Sequence, residues 1–260
     1  LRSPSTPAEQ ALQYPETLTI QASRSFGDGQ DQSDYRLIAL PGEVDRGLAE
    51  TFDGEAGDAW QAYWDDGSSE DYLRQFDGSS TFDLRPGRGF WAISESSWSV
   101  SEEVSTVPLR QTTAGQAAVI SLRDGWNIIS NPLEKDVAWS DVDAANDGSL
   151  QPLWRFDGSF SQAGTFASAT GGEAFYFHNQ SGRGNLKIPY AVGGGSDSDA
   201  SQKQRRALLT VTAHGPDGAT STVQVGRSPD AEDGVGTEDV IAPTTKFAAL
   251  NLHVRASDAE

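Results

Sequence analysis

The stretch Tyr35-Arg36-Leu37-Ile38-Ala39-Leu40-Pro41-Gly42-Glu43 decides the fold, because the chain says nearly the same thing again at Trp126-Asn127-Ile128-Ile129-Ser130-Asn131-Pro132-Leu133-Glu134. Each reads as an aromatic, a short apolar run, a proline and a glutamate. Each is followed by an acidic stretch, a tryptophan strand (Trp64, Trp154), an Asp-Gly turn and a glycine-led aromatic strand, Gly87-Arg88-Gly89-Phe90-Trp91 or Gly172-Glu173-Ala174-Phe175-Tyr176. Self-similarity on this scale marks a duplicated structural unit. It predicts that Pro41 matches Pro132, Trp64 matches Trp154, and Phe90-Trp91 matches Phe175-Tyr176.

Working outward, the pattern is strands and turns. Trp60 to Trp64, Tyr72 to Phe76 and Phe90 to Ile93 are separated by Asp66-Gly67, Asp77-Gly78 and Pro86-Gly87, and Asp-Gly between β-rich runs is a strong hairpin signal. Tyr35 to Leu40 ends at Pro41, which cannot donate to a sheet ladder. Val44, Leu48 and Phe52 lie at i, i+4, i+8 and predict a short helix over 44–52; the matching 137–145 supports one only weakly, through Trp139 and Val142. The fold expected is all-β, antiparallel and sandwich- or barrel-like: two tandem related modules plus a small C-terminal β segment, with little helix. The boundaries are a linker at 1–16, copy 1 at 17–110, copy 2 at 111–191, a Gly/Ser/Asp linker at 192–206 and the C-terminal segment at 207–256. That segment, with a hairpin about Gly215-Pro216-Asp217-Gly218 and a last strand over 247–254, is small for a core of its own and is expected to pack on neighbouring strands.

The chain has 260 residues, 36% hydrophobic, with 7 Trp, enough for real cores. With 38 Asp+Glu against 19 Lys+Arg, its formal charge of -19 repels phosphate backbones and anionic membranes, so nucleic acid is excluded as an expected partner. The acid-rich, lysine-poor balance fits a halophilic protein, in which salt screens the self-repulsion. Absence of cysteine removes disulfide and thiolate chemistry. No apolar run reaches the roughly 18 residues of a membrane span, so no membrane insertion is expected. With no methionine even at position 1, the chain is expected to be a fragment of a longer protein, with any signal or anchor outside it.

Two motifs carry a resemblance. Gly125-Trp126-Asn127-Ile128-Ile129-Ser130-Asn131-Pro132 and the upstream Pro86-Gly87-Arg88-Gly89-Phe90-Trp91 resemble the "GWN-x-I-x-NP" and "PG-[RK]-GFW" strands of large secreted proteins of the Bacteroidota and Rhodothermota. The tail around Val223 to Gly226 and Asp230-Ala231-Glu232-Asp233-Gly234 is similar to the β segment that often precedes their C-terminal sorting region, with Val235 where an aromatic is usual. The resemblance implies a stalk or accessory module of a surface protein, extracellular or cell-surface, whose partners are other domains of the same protein or cell-surface components. It supplies no catalytic residues.

Three chemistries compete with a structural role for these residues. No nucleophile elbow, P-loop or HExxH occurs, and His178, His214 and His253 lack neighbours at metal-ligand spacing. Paired carboxylates for glycoside hydrolysis carry little weight in so acidic a chain. Calcium is the one cofactor to consider, at Asp65, Asp66, Glu70 and Asp71 or at Asp230, Glu232 and Asp233, though neither cluster has EF-hand spacing. Glycan stacking is the third. Repeated aromatics are expected to be core, leaving Trp60, Tyr63 and Tyr72 as ligand candidates. The expected function is therefore non-catalytic, structural or adhesive; the alternative is a carbohydrate-binding module attached to a secreted hydrolase.

Overall fold

The structure, a computed structural model, describes residues 14–29, 31–68, 71–113, 115–190, 207–215, 220–226, 240–243, 247, 250 and 252. Copy 1 runs β1 (Thr17–Arg24), β2 (Arg36–Ile38), β3 (Arg46–Gly47), β4 (Trp60–Asp65), β5 (Leu73–Gln75), β6 (Asp83–Leu84), β7 (Phe90–Ser94) and β8 (Trp98–Ser105). Copy 2 runs β9 (Arg110–Thr112), β10 (Gly115–Ser121), β11 (Gly125–Ile129), β12 (Val137–Ala138), α1 (Trp139–Ala145), β13 (Leu153–Phe156), β14 (Phe160–Ala163), β15 (Thr165–Phe166), β16 (Phe175–Asn179) and β17 (Asn185–Pro189). A hairpin of β18 (Ala207–His214) and β19 (Thr220–Gly226) follows. The strand pairs are antiparallel, and α1 is the single α-helix among the described residues. The fold is all-β with little helix.

Strand order repeats with the sequence. The sheet β2-β7-β4-β5 returns as β11-β16-β13-β14, the pair β3-β6 as β12-β15, and the ribbon β1-β8 as β10-β17, with β9 added at the edge of β10. Register makes the match residue by residue. Leu37 and Ile38 face Trp91 and Phe90, as Ile128 and Ile129 face Tyr176 and Phe175. Pro41 and Pro132 then follow at equal distance from their strands.

The tryptophan match is corrected by the same register. Tyr63 faces Trp91, whereas Trp154 faces Tyr176. The counterpart of Trp154 is Tyr63, and Trp64 corresponds to Arg155. A slip of one residue moves a side chain to the other face of a strand. Accordingly, Trp64 packs against the core of copy 1 alone, while Trp154 lies in the core between the copies.

Three cores result. Leu18, Ile20, Ile38, Phe90 and Trp98 join the ribbon of copy 1 to its four-stranded sheet. Ile120, Ile129, Phe175, Phe177 and Leu186 do the same in copy 2. Leu37, Trp91, Ile128, Trp154, Phe156 and Tyr176 fill the space between the two four-stranded sheets. Alternate residues of one strand thus enter different cores, and β7 is buried at all five positions, with no polar face.

The copies are interlocked by hydrogen bonds related by an approximate two-fold axis. Ala39 N–H donates to Gly172 O (3.2 Å) and Ser130 N–H to Gly87 O (3.3 Å); Ala174 N–H donates to Leu37 O (3.3 Å) and Gly89 N–H to Ile128 O (3.2 Å). Near that axis Gly89 and Ala174 abut. A Cβ on Gly89 would lie 2.6 Å from Ala174 Cβ and 2.7 Å from Ile128 Cγ2, so one member of the pair must be glycine.

Two local expectations changed. The predicted helix over 44–52 is instead β3 followed by a 3-10 turn, Leu48–Thr51, whereas the weaker candidate forms α1. Gly47 interrupts the first segment in extended conformation, while the second places Trp139, Val142 and Ala145 on one buried face. The C-terminal hairpin pairs only with itself among the described strands. Phe247 from the same region enters the core between the copies, stacked on Tyr35 at 3.9 Å and tilted against Trp91 at 4.9 Å. The rest of the predicted strand over 247–254 lies largely outside the described residues.

Candidate functional site

The three aromatic candidates do not form a binding platform. Trp60 is 3% exposed, stacks on Phe52 at 4.7 Å with rings 15° apart, and donates through Nε1 to Gly54 O (3.2 Å). It is a core residue of copy 1 and offers no free face to a sugar. Tyr63 is half-buried against Tyr35 (6.0 Å) and Phe247 (5.6 Å) and has Trp154 as its counterpart, so it is a repeated aromatic after all. Tyr72 packs on the edge of the inter-copy core, and its carbonyl accepts from Asp66 N–H (2.8 Å). Trp60 therefore belongs to one core, and Tyr63 and Tyr72 to another.

The acidic candidates also diverge. Asp65 is 2% exposed; it accepts from the Tyr176 hydroxyl and from Gly67 N–H (2.8 Å). Burial pushes its carboxyl up, against the opposing pull of Tyr176, Gly67 and Arg123. Burial and the adjacent carboxylate push the Tyr176 hydroxyl well above its ordinary value. Asp65 pairs with Leu73 as Phe156 pairs with Phe160, so the carboxylate stands where copy 2 has a phenyl ring. It joins the copies instead of facing a cation. Asp66 turns to Arg74 (2.5 Å) and Ser68 N–H (2.8 Å); burial opposes, but these bonds hold its carboxyl below the usual range. Asp71 is exposed. Glu70, Asp230, Glu232 and Asp233 lie outside the described residues.

A different acidic group converges. Asp28, Asp31 and Asp34 place carboxylate oxygens within 4.8 Å of one another about the 3-10 turn Gln32–Asp34, and Asp31 N–H donates to Asp34 (3.1 Å). Their spacing of three residues was a signal that counting the densest acidic runs passed over. His178 packs edge-on to Trp126 at 4.9 Å, and burial pushes its imidazole down; it lies in β16 without a described metal partner.

Arginine clusters at the junction of the copies were not apparent in the sequence. A cleft of about 510 Å³ is lined by Arg24, Arg36, Arg155, Asp157 and Glu173, among others. Arg36 Nε pairs with Asp157 (3.1 Å) and its Nη1 donates to Ser33 O (2.7 Å) and Tyr35 O (2.8 Å); Arg155 Nε pairs with Glu173 (2.6 Å). Arg24 forms no ion pair among the described residues, and its Nε is buried without a hydrogen-bond partner. The equivalent place across the approximate axis holds Trp64, with Arg88 and Arg123 at 4.6 and 5.0 Å from its ring, a cation–π arrangement. There Arg123 Nη2 crosses to Asp65 O (2.5 Å).

No helix among the described residues is long and apolar enough to cross a membrane. Comparison with family models, with curated proteins and with solved structures returns no match to this chain.

Proposed function

We propose that the chain is a non-catalytic structural or adhesive module of an exported, cell-surface multidomain protein, working at high salt. The observation that carries this reading is the interlocked interface: Trp91, Trp154, Tyr176 and Asp65 are committed to joining the copies, with Tyr63 and Tyr72 half-buried at its edge. Such an arrangement suits a rigid unit that holds neighbouring domains apart. The resemblance of the Gly125–Pro132 and Pro86–Trp91 strands to secreted surface proteins supports the location, and the charge of -19 supports the salt habit.

Exchange of this region in the parent protein for an unrelated rigid β module of similar span tests the role. A structural spacer tolerates the exchange with surface display and attachment kept, whereas an adhesive module loses attachment with display intact; loss of a substrate-converting activity would contradict both. Immunolabelling of intact cells checks exposure. A salt titration checks the habit: melting temperature should rise into molar potassium chloride, and indifference to salt would contradict it.

A further inference from the structure

We propose that the cleft at the end of β1, between the two copies, is a carboxylate-binding site, with Arg24 and Arg36 as its donors. It goes beyond the spacer role and stands independently of it.

Three guanidiniums and two carboxylates line this cleft, so one positive charge is left unmatched in a protein whose formal charge is -19. The unmatched group is Arg24. A Cβ placed on Gly172 would lie 3.4 Å from Arg24 Cγ, so the arginine stem passes beside that glycine, and its Nε is withdrawn from water with no partner. A buried donor without an acceptor is destabilising, and a ligand oxygen would relieve it. Burial and the neighbouring Arg36 and Arg155 weaken Arg24's hold on its proton, while Glu173 and Asp157 strengthen it, so the same five charged groups set the local field.

Arg36 is held rigidly, since two backbone carbonyls fix its Nη1. Its carboxylate partner Asp157 has a side chain 75% exposed, so that ion pair is weak and can open to an incoming anion. Glu173, by contrast, has a side chain 16% exposed and keeps Arg155 occupied. A planar carboxylate matches the guanidinium fork, and the exposed Ser23 and Ser25 add hydroxyls at the rim. The net negative field of the rest of the molecule opposes any anion, so affinity is expected on the order of millimolar, strongest where salt screens that field.

Calorimetric titration of the whole chain with sodium glucuronate and with sodium acetate, at constant ionic strength in chloride, tests the site. Saturable glucuronate binding is expected, at least tenfold weaker in Arg24→Gln and unchanged in Arg110→Gln, an exposed arginine of β9. Glucuronate well ahead of acetate identifies an acidic sugar as the source; equal binding identifies a simple carboxylate. Undiminished binding in Arg24→Gln, equal binding of neutral galactose, or no binding above chloride would each overturn the proposal. Should Arg24→Gln lower the ligand-free melting temperature, Arg24→Lys decides: keeping the charge but losing the fork, it should bind severalfold more weakly, and full affinity would count against the site.

Discussion

On the faces they turn toward each other, copy 1 presents Tyr35, Tyr63, Asp65 and Trp91, whereas copy 2 presents Trp126, Trp154, Phe156 and Tyr176 at the same register positions. The backbone pattern is shared and the side chains are complementary. Where copy 2 has two tryptophans, copy 1 has two tyrosines with Phe247 packed against them. Where copy 2 has Phe156, copy 1 has Asp65, whose carboxylate accepts from the Tyr176 hydroxyl. Where copy 2 has Ala174, copy 1 has Gly89. Divergence relieves the contact near the axis, where two identical large groups cannot share one volume.

The largest effect should come from Trp91, fully buried with Phe156 at 4.8 Å and Phe247 at 4.9 Å. Trp91→Ala is expected to cost about 3–5 kcal/mol in urea unfolding, since it opens the shared core. A cost under ~1 kcal/mol would mean that the copies are not packed through it. Gly89→Ala comes next, at about 1–3 kcal/mol from overpacking against Ala174 and Ile128. Adding Ala174→Gly should recover part of that loss, the Ile128 methyl being still in the way; simple additivity of the two changes would break the abutment.

The smallest and most diagnostic effect is pH-dependent. The folded protein raises the carboxyl of Asp65 above its ordinary 3.8, so the folded state keeps a proton that the unfolded chain releases. This contribution is full below the unfolded value and is lost as pH rises through Asp65's own higher one. Asp65→Asn has no such proton, so the stability difference should move in favour of the wild type on acidification through that window. A difference flat with pH would show that Asp65 is not buried against Tyr176.

The duplication, the strands and their turns were legible because Asp-Gly turns, prolines and aromatic pairs are local signals. Facing was not. Alternation identifies a buried face only when the other face is wet, and β4 has no exposed position, so nothing local told Tyr63 from Trp64 as the counterpart of Trp154. The helix prediction failed in copy 1 because one glycine outweighed the i, i+4, i+8 pattern of Val44, Leu48 and Phe52. Asp65 reads as a calcium-ligand candidate because its partner, Tyr176, lies 111 residues away. Arg24, Arg36 and Arg155 are likewise scattered along the chain and meet only when the copies interlock.

Scanning calorimetry of the whole chain tests that interlock most directly. Leu84→Ala in the core of copy 1 and Leu186→Ala in that of copy 2, each at a fully buried leucine, should lower one and the same endotherm, with calorimetric and van't Hoff enthalpies equal for the duplicated region. Two endotherms, each moved by only one of the substitutions, would show two independent modules and contradict a single interlocked unit.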